Sequence, residues 1–248
     1  MNEMIELLQN HVSVRDYDDR IVSDEVKNEL VKSAQSASTS NFVQAYTIIE
    51  IKDKQMKAEL AEITQFSGHL AKAPLVYVFV ADLYRHAIQL KKQNKPLDGL
   101  RNMESMVVSM VDATLAAQNM AIAAESLDLG ICYIGGIRND LTRVKELLHL
   151  PELTVPLFAM TIGYPASKNN IKPRMPLENV LATDTYQTSL TDLSTYDEQI
   201  HSYYQNRNNQ QTDTTWTQKN VEFFSIVRRP EFAQFLLDQG FTVNNPHL

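Results

Sequence analysis

Three short segments carry residues whose types and spacing suit the binding of a charged ligand. In His11-Val12-Ser13-Val14-Arg15 the polar residues alternate with valines. In extended backbone such a pattern projects three donors from one side. A phosphate is held by charge-assisted donors of this kind, and arginine adds a bidentate fork. A solvated turn with a surface arginine gives the same pattern. Tyr133-Ile134-Gly135-Gly136 ends an apolar run in paired glycines, which let the main chain approach a flat ligand and present its N–H groups. An ordinary strand-to-helix turn reads the same way. Lys172-Pro173-Arg174 holds two cations apart on a proline-fixed backbone. Together the three suit a phosphorylated, flat, redox-active ligand.

The standard alternatives are missing. The chain has 248 residues and only 7 glycines, through which neither G-x-G-x-x-G nor a P-loop can be drawn. H-E-x-x-H and G-x-S-x-G are absent, and His11, His69, His86, His149, His201 and His247 show no paired-ligand spacing, so no metal site is expected. The net charge of −7 argues against nucleic acid or an anionic membrane as partner. Cys132 is the single cysteine; it reads as a structural thiol and leaves no internal disulfide. Met106–Ala124 contains Asp112, Gln118 and Asn119, which takes it below the ~18 apolar residues of a membrane helix. A cytoplasmic protein without a leader segment is expected.

Periodicity supplies the elements that must position these residues. Met4, Ile5, Leu7 and Leu8 predict a short helix, and Ser23 caps a second one whose apolar positions are Val26, Leu30, Val31 and Ala34. The small polar run Ser36–Asn41 has no evident reason to be buried. Strands are predicted at Tyr46–Ile51, Leu75–Ala81, Gly130–Ile137 and Val155–Ile162. The second of these is continuous rather than alternating, as in a strand covered on both faces. Helices are predicted at Lys54–Ile63, Leu100–Leu127, Asn139–Leu148, Thr191–Gln205 and Glu231–Gln239. The long helix is nearly free of charge and should be covered all round, either as the centre of the domain or as the seam of a dimer. The polar stretch Asn206–Thr215 reads as a mobile loop. The chain reads as one α+β domain over 1–248, with a C-terminal arm from about 166.

At these residues the sequence resembles the nitroreductase superfamily, in particular its NADPH-dependent, FMN-containing, oxygen-insensitive nitroreductase and flavin reductase group. His11, Ser13 and Arg15 match the family's opening H-R-S-x-R. Phe42, Gln44, Ala81-Asp82, Arg85-His86, Gln118-Asn119, Ala123–Leu127, Tyr133–Gly136, Lys172–Arg174, Tyr196–Glu198, Tyr203-Tyr204 and Trp216 follow in order. The resemblance implies a nitroreductase-like fold with a mixed, mainly antiparallel central sheet, a long helix at the dimer interface, and a C-terminal arm that serves NADPH. It implies a homodimer with one tightly bound, non-covalent FMN per subunit. His11, Val12, Ser13, Arg15, Ser67, Lys172 and Arg174 would contact that FMN, Tyr133, Ile134, Gly135 and Gly136 would line its ring, and Thr39 would reach it across the dimer interface. NADPH, or NADH, would donate hydride in a ping-pong cycle to nitroaromatics, quinones or similar small acceptors. No protein residue is assigned as catalytic.

Three departures stand out. Val12 replaces an arginine of the opening motif. Ser67 stands where a flavin-contacting glutamine is common, with Gln65 nearby. Of the loop arginines that would grip the NADPH 2′-phosphate, Arg207 alone remains, among Asn208, Asn209, Gln210, Gln211 and Thr212. Other readings of the same residues are a flavin reductase that supplies free reduced FMN, a non-catalytic flavin-binding protein, and a structural dimer without cofactor.

Overall fold

The computed structural model describes residues 2–207 and 211–242. The chain divides into two units, Met1–Lys168 with Arg229–Leu248, and Asn169–Arg228. The first is built on β2 (Leu75–Asp82), in which every residue from Leu75 to Ala81 is buried. β2 pairs with β1 (Tyr46–Glu50) on one side and β4 (Thr154–Gly163) on the other, and β3 (Gly130–Ile134) completes the order β1-β2-β4-β3. All these pairings are antiparallel, so the described sheet is not mixed. The continuous apolar run has a direct cause. Leu75, Tyr77, Phe79 and Ala81 join a core with α2 (Asp24–Gln35) and α6 (Met103–Ser126), whereas Val76, Val78 and Val80 join one with α3 (Lys54–Thr64). Helices on both faces give the α+β architecture.

Several boundaries differ from the sequence expectation. The predicted helix Leu100–Leu127 is broken at Asn102, which is extended and whose side chain accepts the Ser105 N–H at 2.9 Å. It therefore caps α6 and separates it from the single turn α5 (Asp98–Arg101). β3 stops at Ile134, because Gly135–Asp140 winds into a 3-10 turn, and Asp140 then caps α7 (Leu141–Leu147). α1 (Glu3–Gln9) forms but buries no residue. α4 (Tyr84–Lys92) was not anticipated, and α10 (Phe232–Asp238) closes the first unit.

Within the single chain α6 is not covered all round. Ala113, Ala116, Ala117, Met120, Ala121 and Ala124 are in the core, while Met103, Val107, Val111 and Leu115 form a stripe between 36% and 48% exposed. By length and composition, with a mean hydropathy of 1.3, α6 also qualifies as a candidate membrane span, contrary to the expectation from its polar residues. Those residues have specific work inside the unit. Asn119 donates to the Ser33 carbonyl at 3.2 Å. Asp112 is fully buried.

The second unit packs α8 (Ser194–Asn206) and α9 (Trp216–Phe224) around Tyr196, Ile200, Tyr204 and Trp216. α9 begins with a Thr215/Gln218 capping box, a start signal whose Thr215 is the last residue of the stretch read as loop.

The Asp112 carboxylate accepts the Ser40 N–H at 2.9 Å on one oxygen and the Ala45 N–H at 3.0 Å on the other. Between these anchors Asn41, Phe42 and Gln44 hold positive φ angles of 45°, 59° and 51°, a conformation costly for non-glycine residues. Asp112 thus maintains a strained loop from below. Asp112→Ala leaves two N–H groups without acceptors and is expected to lower stability by roughly 2–5 kcal/mol in urea unfolding, with Asp112→Asn losing about half as much. A loss within experimental error for the alanine variant would contradict this role.

Candidate functional site

The segment 11–17 is a strap along the edge strand β3. The Val14 N–H donates to the Ile131 carbonyl at 2.8 Å, and Val14 itself is 1% exposed. The strap lies this close because residue 130 is glycine: a Cβ there would stand 2.4 Å from Val14 Cγ2. Tyr17 pins the other end, its hydroxyl donating to the Val14 carbonyl at 2.8 Å and pairing with Thr161 Oγ1 at 2.8 Å. Burial pushes the Tyr17 phenol well above its usual range, so it stays protonated. With Val14 turned inward, Arg15 is left exposed. Its charge reaches Tyr17, Cys132 and His69. Val12 and Ser13 are partly buried. His11 is anchored as well, its Nδ1 lying 2.6 Å from Glu125 Oε1 of α6.

The paired glycines sit where β3 runs into the 3-10 turn. A Cβ on Gly136 would stand 2.9 Å from the Thr64 Cβ and 3.2 Å from its carbonyl oxygen, so the turn rests directly on the end of α3. Asn139 locks it there, donating to the Ile63 carbonyl at 3.2 Å and to that of Thr64 at 3.4 Å. The same Thr64 binds the connection to β2, its Oγ1 accepting the Ser67 N–H at 3.1 Å. Ser67 and Gly136 are therefore held by one residue. Tyr133 donates to Gln118 Oε1 at 3.3 Å, and Ile134 is buried beneath the turn. Cys132 is buried with its thiol pushed up, its Sγ donating to the Tyr133 carbonyl at 3.6 Å. This is the structural thiol expected.

Two polar atoms here are buried without a partner, Thr39 Oγ1 and His69 Nε2. Thr39 precedes the loop held by Asp112; its run of small polar residues is thus not simply solvated. His69 lies in the 3-10 turn Gly68–Lys72. Sequence reasoning passed over Glu125 and Asp112, because each acts through a contact distant in the chain, and His69, whose burial no local pattern shows.

The remaining candidates belong to the second unit. Lys172 donates to the Tyr204 hydroxyl at 2.8 Å and lies 5.1 Å from its ring centroid. The Arg207 guanidinium is 4.9 Å from the same centroid, and Lys219 Nζ is 4.7 Å from it. Three cations thus surround one tyrosine, Lys219 being the one without a sequence signal. Arg174 donates to the Lys172 carbonyl at 3.2 Å, and the Tyr196 hydroxyl to that of Pro173 at 3.1 Å. Asn208, Asn209 and Gln210, read as replacing loop arginines, lie outside the described residues, as does His247. Thr212 is tied back by its N–H to the Tyr204 carbonyl at 3.2 Å.

Burial, and then the Arg15 charge, hold His69 below the ordinary histidine value. A histidine depressed in this way binds fewer protons in the folded chain than in the unfolded one. Its contribution is complete above the unfolded value of ~6.5 and is lost as pH falls from there toward the folded one. His69→Gln is expected to flatten the stability profile of the flavin-free protein as pH falls below about 6.5. An unchanged slope would remove His69 as its source.

Comparison with known proteins bears on what this arrangement serves. Residues 8–164 match the model of the nitroreductase family, and residues 172–244 match that of the nitroreductase family C-terminal domain. An FMN reductase (NADPH) of Bacillus subtilis is 41% identical over 98% of this chain and 100% of its own length. A Cr(VI) reductase of a Pseudomonas species is 39% identical over 95% of this chain and 98% of its own. The solved structure of the NfrA1 nitroreductase from B. subtilis superposes with a TM-score of 0.92 at 41% identity, covering 96% of this chain and 98% of that one. The chain belongs to the nitroreductase family.

Proposed function

We propose that the chain is an FMN-dependent NADPH oxidoreductase that passes electrons to nitroaromatics, quinones or similar small acceptors. The observation that carries this reading is the strap: a rigid extended segment with Arg15 exposed, docked on the strand that ends in Gly135-Gly136. Family membership and the printed activities of the relatives, an FMN reductase (NADPH) and a Cr(VI) reductase, support the same cofactor and donor.

The residues fit FMN. Arg15 offers a guanidinium fork for a phosphate or a pyrimidine edge, and Thr39 Oγ1 and His69 Nε2 are buried polar atoms that lack partners. His11, Val12, Ser13, Arg15, Thr39, Ser67, Tyr133, Ile134, Gly135, Gly136, Lys172 and Arg174 are the proposed cofactor contacts, with Arg207 for the NADPH 2′-phosphate. FMN, when bound, supplies the redox chemistry, taking hydride from the nicotinamide and giving electrons to an acceptor in a ping-pong cycle. The chain's own residues bind and orient. Glu125 fixes the His11 ring, Thr64 holds Ser67 and the glycine turn at one level, and Lys172 and Arg174 supply the positive charge that electron uptake calls for. Cys132, buried and protonated, takes no covalent part.

A second copy of the chain is the proposed cover for the Met103–Leu115 stripe of α6, since an apolar stripe of that length on a subunit surface marks an interface. The proposed location is the cytoplasm, in keeping with a lone cysteine. Release of reduced FMN to a partner is a second reading, favoured by the relative named FMN reductase.

Arg15→Ala tests the assignment. The strap is held by Val14 and Tyr17, so the variant should fold normally while its FMN affinity falls roughly tenfold to a hundredfold, read as flavin content and by fluorescence titration. Unchanged flavin content would take Arg15 out of the site.

A further inference from the structure

Two short stretches singled out in the sequence, Ala81-Asp82 and Arg85-His86, have no part in the cofactor assignment above. The structure gives three of these residues one task. Asp82 closes β2 and accepts two bonds there. Its Oδ2 takes the Thr47 hydroxyl of β1 at 2.6 Å, and its Oδ1 takes the Tyr84 N–H at 2.9 Å, which fixes the start of α4. From that start Arg85 and His86 turn to the loop 39–45. Arg85 Nη2 donates to Thr47 Oγ1 at 3.2 Å, and its Nη1 reaches the Gln44 carbonyl at 3.5 Å. His86 Nε2 lies 2.8 Å from the Val43 carbonyl. A carbonyl only accepts, so Nε2 carries the hydrogen. The other ring nitrogen, Nδ1, is buried without a partner. Among the described residues, the hydrogen bond of this ring therefore goes to the loop.

The loop needs such holding. Phe42 is 81% exposed, so its side chain gives no burial to offset a φ of 59°. Backbone in regions of this kind persists where the surroundings impose it, and it clusters at ligand sites. The surroundings here are side chains from two helices. Asp112 of α6 accepts the N–H groups at the two ends, and His86 of α4 holds the Val43 carbonyl between them. At the head of the loop stands Thr39, in a position where a threonine hydroxyl ordinarily bonds a backbone N–H of the turn that follows. It makes no such bond, and its Oγ1 is buried without a partner.

We infer that His86, assisted by Arg85, is a positioning residue of the flavin site: by holding the Val43 carbonyl it keeps the loop in the conformation that places Thr39 for the cofactor. The inference rests on the reading above, in which Thr39 contacts FMN. His86 acts through the loop alone, and Asp82 sets the helix that carries it.

The FMN dissociation constant of the full chain, read by fluorescence titration, tests this. His86→Leu removes the donor and is expected to weaken FMN binding about tenfold. His86→Gln, whose amide nitrogen can stand in for Nε2, should bind within about threefold of the wild type. Thr39→Val should weaken FMN binding by itself, and adding His86→Leu to it should cost less than about threefold more, because the two residues act as a unit. A role confined to folding would lower stability in urea and leave the two effects additive. The inference is overturned by wild-type FMN affinity in His86→Leu or in Thr39→Val, or by a His86→Leu effect that is the same with and without Thr39. If that occurs while NADPH still bleaches the wild-type flavin, the oxidoreductase reading stands without it. A wild type that binds no FMN overturns both. Should His86→Leu not fold, the exposed Arg85→Met carries the same comparison. A loss of about threefold that vanishes in the Thr39→Val background is then expected, and wild-type affinity overturns the inference.

Discussion

The close approach of Val14 to Gly130 is the contact on which the candidate site depends. β3 is an edge strand, and an edge leaves backbone groups unpaired. Here the Val14 N–H takes the Ile131 carbonyl, and the valine side chain fills the space that a Cβ at 130 would need. Burying Val14 in this way determines which residues of the strap face outward. The charge of Arg15 then acts on His69, Tyr17 and Cys132 rather than on solvent alone. A side chain at 130 would lift the strap and dissolve that arrangement without touching any polar residue.

A second constraint comes from α6, which serves three purposes with one helix. Its alanine face packs under the sheet, and its buried Asp112 and partly buried Glu125 reach out to hold the Thr39–Ala45 loop and His11. These are the only acids between Ser105 and Leu127. Each is spent on positioning a segment proposed to meet the cofactor, which explains charges on a helix that otherwise reads as core. The third face, from Met103 to Leu115, remains apolar and exposed in the single subunit. The three functions share one rigid element, so a change in the position of α6 would be felt at His11 and at Thr39 together.

Much of the fold was legible because it rests on local signals. The unbroken apolar run of β2, the Ser23 cap and the four strands follow from periodicity and capping chemistry. What escaped depends on partners distant in sequence or on a single residue's conformation. Asn102 breaks the long helix with a side-chain cap that leaves the apolar pattern intact across it. Gly135 ends β3 early because its chain turns onto α3, which no local pattern encodes. In the site, the alternation of His11, Ser13 and Arg15 was visible, but only Val14 proved deeply buried, and His11 meets an acid 114 positions away. His69 looked like one of six scattered histidines until its buried Nε2 was seen to lack a partner.

The central claim is that the strap, the glycine turn and the unpartnered Thr39 and His69 atoms serve a bound flavin reduced by NADPH. The most direct measurement is the visible absorption spectrum of the purified protein, followed by anaerobic titration with NADPH. The account predicts flavin bands that bleach on addition of the donor and return when a quinone is added. A colourless protein that stays colourless after incubation with FMN, or a bound flavin that NADPH leaves oxidised, would contradict it.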